Sequence, residues 1–438
     1  MKKFILISAF IISNVVAAQE AMTFQNCLDL ALQNNLDLKT AYNKQENAAY
    51  QYKASYGKIL PAVYGEAENR NSWGREIDPD TNLYANKDLK YYKGTLSADF
   101  NLFSGFEVMN TIKYNKQEKK INDANVQRVT NAITIDLAQK FITILYLQEI
   151  VTANEDQIKS SEKQLELADL KFNSGVISES EVFKIKSQKA TEELNLLTNQ
   201  NHLSDNLISL KQLMNMPLEQ EIILLKPNLE LDKNTALLSD NQYELTKKAV
   251  EINPTYTMSL LKEQREKAAL AIARSSRYPT LDMRLLYTSN FTDGRDQIYY
   301  DWQLKDNFSK GIRFNLVIPI FSQFEDFAKI KESKLNLKQA KYDTQIARNQ
   351  LSKEVLKAIT DTKTSVKKKE SSSIAFEFSR KSYDADMLKF QLGKININEL
   401  NNTKMVFNKS QAELIQSKYE LLFNNSLIQF YLGSAFSL

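Results

Sequence analysis

Cysteine and histidine are almost missing from this chain, which has one of each, Cys27 and His202. One thiol cannot form an internal disulfide, so the fold must be held by packing or by assembly. One imidazole and one thiol supply no metal cluster of recognisable spacing and no Cys–His or Ser–His pair for nucleophilic catalysis. His202 lies in a helical pattern among Asn and Leu and reads as a surface or packing residue. The paired acids Glu192 and Glu193 and the run Lys367, Lys368 and Lys369 read as solvated helix faces. Neither an enzyme activity, a metal nor a cofactor is expected. A dominant charge is missing as well: 57 Lys and Arg stand against 53 Asp and Glu, which leaves no electrostatic footprint for nucleic acid. Beyond the first eighteen residues no stretch approaches the ~20 apolar residues that a transmembrane helix needs. Integral membrane contact would have to come through strands.

Residues 1–18 read as a secretory signal: Lys2 and Lys3 start it, 4–12 form an apolar core, and Val16, Ala17 and Ala18 precede a cut before Gln19. The remainder of the chain is written twice. Adding 218 to a residue number in the first half gives its counterpart in the second, without a gap. Leu170-Lys171-Phe172-x-x-Gly175-x-Ile177-x-x-x-Glu181 recurs as Leu388-Lys389-Phe390-x-x-Gly393-x-Ile395-x-x-x-Glu399. The same shift carries Phe103-Ser104 onto Phe321-Ser322, Pro61 onto Pro279 and Asn35 onto Asn253. So long a period is no solenoid unit; it marks a duplicated half-molecule. The expected protomer is 19–438, with repeats at about 19–217 and 241–433 joined by 218–240.

Glycine and proline are also few, ten and seven, and most fall in the windows 57–105 and 279–319. Between those windows and the turns at Gly175 and Gly393 there is neither, which predicts long uninterrupted helices. Ile144, Leu147, Val151, Asn154, Ile158, Ser161, Leu165, Ala168 and Phe172 alternate steps of three and four, as a coiled-coil seam does. Leu196, Leu203, Leu207, Leu210 and Met214 continue such a seam on the returning helix. At ~1.5 Å per residue, 104–171 and 322–389 would each reach about 100 Å. Helices of that length in so polar a chain should lie side by side in a rod or tube.

Inside the two windows the period becomes two. Leu96, Ala98, Phe100 and Leu102 alternate with polar partners, as do Leu281, Met283, Leu285 and Tyr287, and Ile312, Phe314, Leu316, Ile318 and Ile320. Hairpins of half-buried strands are expected at about 61–103 and 279–321, with polar loops near 73–91 and 290–309. A soluble sandwich and a membrane barrel both fit alternation. The barrel accounts for strands that nothing else in the chain can cover. Four strands cannot close a barrel, and open edges in hydrocarbon are costly, so the barrel reading requires several copies. A secreted coiled-coil protein without a pore is the competing class, but it leaves the duplicated hairpins without a purpose. A diffusion porin leaves the long helices without one.

Through these motifs the chain resembles the TolC family of outer-membrane efflux channels over its whole length after the signal. The markers are Phe24-Gln25-Asn26-Cys27-Leu28-Asp29-Leu30-Ala31-Leu32-x-x-Asn35, the junction Asn101-Leu102-Phe103-Ser104-Gly105-Phe106 with its copy Pro319-Ile320-Phe321-Ser322-Gln323-Phe324, and the two tip turns. The resemblance implies a mainly α fold with a membrane β-barrel: a homotrimer whose four strands per chain build a twelve-stranded barrel in outer-membrane lipid. Beneath it a periplasmic helical barrel would narrow at the tips. It further implies a passive exit duct for an efflux or type I secretion system, energised by an inner-membrane transporter through a periplasmic adaptor. Phe172, Gly175, Val176, Ile177, Phe390, Gly393, Lys394 and Ile395 would be the adaptor-docking turns, and Glu181 and Glu399 acids at the pore tip. Each has a plainer reading too: the glycines as helix C-caps, the acids as favourable charges at helix starts. Phe390, Ile395 and Asn402 depart from the family's tip pattern, so a closed tip would be latched differently in this chain.

Overall fold

A computed structural model describes residues 21–77, 83–86, 88–227, 241–293 and 304–438. The proposed signal, most of the joining segment and the tips of the two strand windows lie outside the described residues. In chain order the elements are β1 (Ala21–Met22), α1 (Phe24–Asn34), α2 (Leu36–Gly57), β2 (Ala62–Ser72), β3 (Arg75–Ile77), β4 (Tyr84–Asn86) and β5 (Leu89–Ser104). Helix α3 (Glu107–Asn173), α4 (Glu179–Leu213), β6 (Ile223–Leu224), α5 (Gln242–Ile252) and α6 (Pro254–Ser275) come next. The last are β7 (Thr280–Asp293), β8 (Ser309–Val317), α7 (Glu325–Gln391) and α8 (Ile397–Tyr431).

The duplication is structural to the residue. Helices α1, α2, α3 and α4 begin and end 218 positions before α5, α6, α7 and α8, and α3 and α7 are both 67 residues long. Even the unusual backbone repeats. Phe106 and Phe324 have φ of 68° and 64°, and Asn215 and Gly433 have 51° and 97°. At the α1–α2 and α5–α6 breaks, Asn35 and Asn253 use their side-chain oxygens as N-caps, accepting from Asp37 and Thr255 at 2.9 Å. Gly105 shows why one of these positions needs glycine: at φ +60° a Cβ would lie 2.6 Å from the Ser275 carbonyl oxygen.

The chain divides into two compact units that do not follow the repeats. One comprises Met1–Lys39, Val129–Ile252 and Ser352–Leu438. It holds the paired helices α3/α4 and α7/α8 near their turns, with α1 and α5 against them. Phe24 packs edge-on to Phe141 and beside Phe436, and Ala249 of α5 joins Val355, Ala358, Ile359 and Ile428. The apolar seam of α3 is real: Ile144, Leu147 and Ala168 are buried and Val151, Ile158 and Leu165 half-buried. Cys27 is fully buried in α1, where burial pushes its thiol up to about 11.

The second unit comprises Thr40–Arg128 and Asn253–Leu351 and carries a four-stranded antiparallel sheet in the order β2–β5–β7–β8. Its rows alternate in character, as period-two sequences require. Val63, Ala98, Leu285 and Ile312 form one row across the sheet; the next is Ala62, Asp99, Arg284 and Arg313. Arg284 binds the Asp99 carboxylate with two nitrogens, Nη2 at 2.9 Å from Oδ2 and Nε to Oδ1. No described part of this chain covers the apolar rows: Val63, Leu96, Ile312, Phe314 and Leu316 are all more than half exposed. The sheet is open, with β2 and β8 as its edges.

Three details differ from the expectation. Strand β8 ends at Val317, before Ile318 and Ile320, because Pro319 has no amide to extend the ladder. The expected loop at 73–91 is partly ordered as the β3–β4 hairpin, and β7 runs on to Asp293. Among the described residues, no helix is long and apolar enough to cross a membrane.

Candidate functional site

The two tip turns are built alike. At the end of α3, Val176 N–H donates to the Lys171 carbonyl at 2.8 Å and Gly175 N–H to that of Phe172 at 2.9 Å. At the end of α7, Lys394 donates to Lys389 at 2.8 Å and Gly393 to Phe390 at 3.0 Å. This crossed pair is a Schellman cap, and it places the glycine in the left-handed region: φ is 69° at Gly175 and 71° at Gly393. A Cβ at either position would meet nothing within 4 Å, so backbone conformation alone demands glycine. Val176 and Lys394 stand exposed beyond the turns, while Ile177 and Ile395 are half-buried against the cluster beneath.

That cluster draws on all four helices: Ala168 from α3, Val182 and Ile185 from α4, Tyr383 and Phe390 from α7, and Ile397 and Leu400 from α8. The two hairpins therefore share one core at their ends. The shared core breaks the symmetry of the duplicated motif. Phe390 is 4% exposed, whereas its counterpart Phe172, placed by its spacing at the end of the α3 seam, is 41% exposed.

The acids also differ. Both stand at the third position of a returning helix, where the dipole favours negative charge. Asn396 caps α8: its Oδ1 accepts from the backbone N–H groups of Asn398 and Glu399 at 2.9 and 3.1 Å, and its side-chain Nδ2 donates to the Glu399 carboxylate at 3.1 Å. The N-cap is thus satisfied, and the same side chain holds the Glu399 carboxylate. Ser178, at the same place before α4, makes no side-chain cap for Glu181.

Two lysines missed by sequence reasoning join the hairpins. Lys171 donates to the carbonyls of Phe390 and Gln391 at 2.7 and 3.1 Å and lies 4.8 Å from the centre of the Phe390 ring. It thus satisfies carbonyls left open at the end of α7. Its counterpart Lys389 pairs instead with Asp386 at 2.9 Å. Lys404, on α8, is 2% exposed and lies 2.8 Å from Glu192 of α4, itself 3% exposed. Glu192 is therefore not the solvated acid that its sequence suggests: it lies at the α3–α4 contact, held by Ser161, Gln188 and Lys404. Tyr383 adds a further tie, accepting from Gln164 at 2.9 Å. His202 is exposed, and no group of His, Cys, Asp or Glu among the described residues could hold a metal ion.

An open sheet with exposed apolar rows, in a chain whose two 67-residue helices each end in a Schellman turn, is the composition of a membrane channel subunit. The chain belongs to the outer membrane efflux protein family, whose model matches residues 27–216 and again 245–434. It is 21% identical over 328 residues to the outer membrane protein TolC of Escherichia coli (strain K12). That match covers 73% of this chain and 65% of TolC, so it spans less than two thirds of that relative's length. The fold is similar to the crystal structure of CusC, at a TM-score of 0.80 and 13% identity over 94% of this chain and 92% of that one. It is equally similar to the Campylobacter jejuni CmeC outer membrane channel, at 0.80 and 18% over 94% and 86%. The chain is an outer-membrane protein with its helical part in the periplasm, and not an enzyme.

Proposed function

We propose that the chain is one of three identical subunits of a passive exit duct. The carrying observation is the four-stranded sheet: apolar rows exposed on one face, charged and polar rows on the other, and two open edges. In hydrocarbon each unpaired edge group costs several kcal/mol, and the smallest single-chain barrels have about eight strands. Three copies would close β8 of one chain on β2 of the next into twelve strands, with lipid on the apolar rows and solute on the rows of Asp99, Arg284 and Arg313. Strands of 11 and 9 residues at the edges suit a tilted crossing, which takes about 9–11.

The helices then form the periplasmic part of the duct. The turns at Phe172, Gly175, Val176 and Ile177 and at Phe390, Gly393, Lys394 and Ile395 dock a periplasmic adaptor, which links the duct to an energised inner-membrane transporter. The exposure of Val176 and Lys394 and the absence of neighbours around both glycines support docking there. Glu181 and Glu399 line the entrance, Glu399 exposed but held by Asn396 and Glu181 half-buried. Conductance in planar bilayers tests the duct. Purified protein should form long-lived open channels, and Glu181→Gln with Glu399→Gln should lower their cation preference. A protein that inserts but never conducts contradicts the duct; an unchanged ion preference returns both acids to helix-start residues.

A further inference from the structure

The coiled-coil seams carry polar layers among the apolar ones, and the two repeats close them differently. In the α7/α8 seam Ser379 meets Ser410 at 2.5 Å, and one heptad away Ser372 meets Ser417 at 2.7 Å. Their counterparts in the α3/α4 seam are Ser161 donating to Glu192 at 2.5 Å and Asn199 donating to Asn154 at 2.8 Å. A polar residue at a seam position fixes the register of paired helices. Three of these layers close with neutral groups inside their own hairpin. The Ser161–Glu192 layer does not, because a buried carboxylate needs a positive partner. That partner comes from the other hairpin: Lys404 pairs with Glu192 at 2.8 Å and donates to Ser161 at 2.5 Å. The counterpart of Lys404 in the first repeat, Lys186, is exposed. A layer at this height does not in itself require an ion pair, since the second hairpin closes its own copy with two serines.

We infer that Lys404 is a positioning residue that ties the α7/α8 hairpin to the α3/α4 hairpin, so that one tip cannot shift against the other without unpairing a buried charge. Apolar side chains can slide over one another at small cost in area. A buried ion pair cannot: it adds little net stability when intact, yet separating or removing one partner leaves an uncompensated charge. Its energy is thus steep in displacement, which is what a tie between two bodies needs. Burial pushes the Lys404 ammonium below its ordinary range, with Glu192 opposing the shift, as expected of a charge that depends on one partner. The consequence for transport, a set barrier to widening the duct entrance, rests on the proposed function; the coupling itself does not.

The test uses spin labels at Ser180 and Asn398, exposed counterparts in the first turns of α4 and α8. Cys27, the single native cysteine, is fully buried and will not compete for label. Labelled chains are diluted with unlabelled ones, so that only distances within one chain are read. Lys404→Met strands the Glu192 carboxylate and should raise local opening of the hairpins on the order of a hundredfold. Lys404→Met with Glu192→Gln removes both charges at similar volume. It should regain native heat stability while the label distance distribution stays broad. A distribution in the double variant as narrow as in the native protein overturns the inference and leaves the node as packing. Broadening in a protein that never conducts upholds the tie and refutes the duct; a narrow distribution with normal conductance does the reverse.

Discussion

Phe172 and Phe390 hold the same place in the two repeats, yet the same substitution should cost very different amounts. Phe390 is 4% exposed within the four-helix cluster, and its ring lies 4.8 Å from the Lys171 ammonium. Truncating a buried Phe to Ala costs about 3–5 kcal/mol, and loss of the cation–π contact adds about 0.5–1 kcal/mol. Phe172 is 41% exposed and outside that cluster, so Phe172→Ala should cost roughly 1 kcal/mol or less. The difference, at least about 2 kcal/mol, is some thirtyfold in local opening at about 1.4 kcal/mol per factor of ten. Amide hydrogen exchange over 160–185 and 380–400 in detergent reads it directly. Phe390→Ala should expose both stretches, since both hairpins lose the shared core, while Phe172→Ala should leave 380–400 protected. Equal losses from the two variants would refute the asymmetry and mean that Phe172 is covered in the assembled protein.

Gly393→Val should cost roughly 1–2 kcal/mol of backbone strain at φ 71° with no clash, and it should reduce efflux and adaptor cross-linking while the barrel still assembles. Gly393→Asn, tolerant of the left-handed region, should retain both. On the sheet, Ile312→Arg places a charge on an apolar row that is 67% exposed at that residue, at about 2–4 kcal/mol near the bilayer midplane. Outer-membrane abundance should fall, whereas Asn315→Arg on the polar rows should insert normally. For Cys27, a folded-state value of about 11 against an ordinary 9.0 means that the fold favours the neutral thiol. Its contribution is fully present below about pH 9 and is lost as pH rises toward 11, up to roughly 2–3 kcal/mol. The denaturation midpoint of the native protein should therefore fall more steeply over that range than that of Cys27→Ala.

Much of this fold is legible in the sequence, because periodicity records how much of each face is buried. The spacing from Ile144 to Ala168 and the alternation of Leu281, Met283 and Leu285 each reflect one local geometry, and the offset of 218 carries both into the other repeat. The tip glycines are legible for the same reason, since a single left-handed residue ends each long helix. The hidden part depends on contacts between hairpins. Glu192 looks solvated because a charged residue usually is, and nothing local announces that Lys404, over two hundred positions away, lies against it. Phe172 and Phe390 are the same letter in the same motif, and only the shared core separates them. Lys171 and Lys389 diverge likewise, one reaching across to the carbonyls of Phe390 and Gln391 and the other turning back to Asp386.

The central claim is that four strands per chain make a shared wall. The most direct measurement is the native mass of the detergent-extracted outer-membrane protein. Three chains per particle, stable on dilution and resistant to dissociation until heated, is the predicted result. A monodisperse monomer, or a species that is never recovered from membranes, would contradict it.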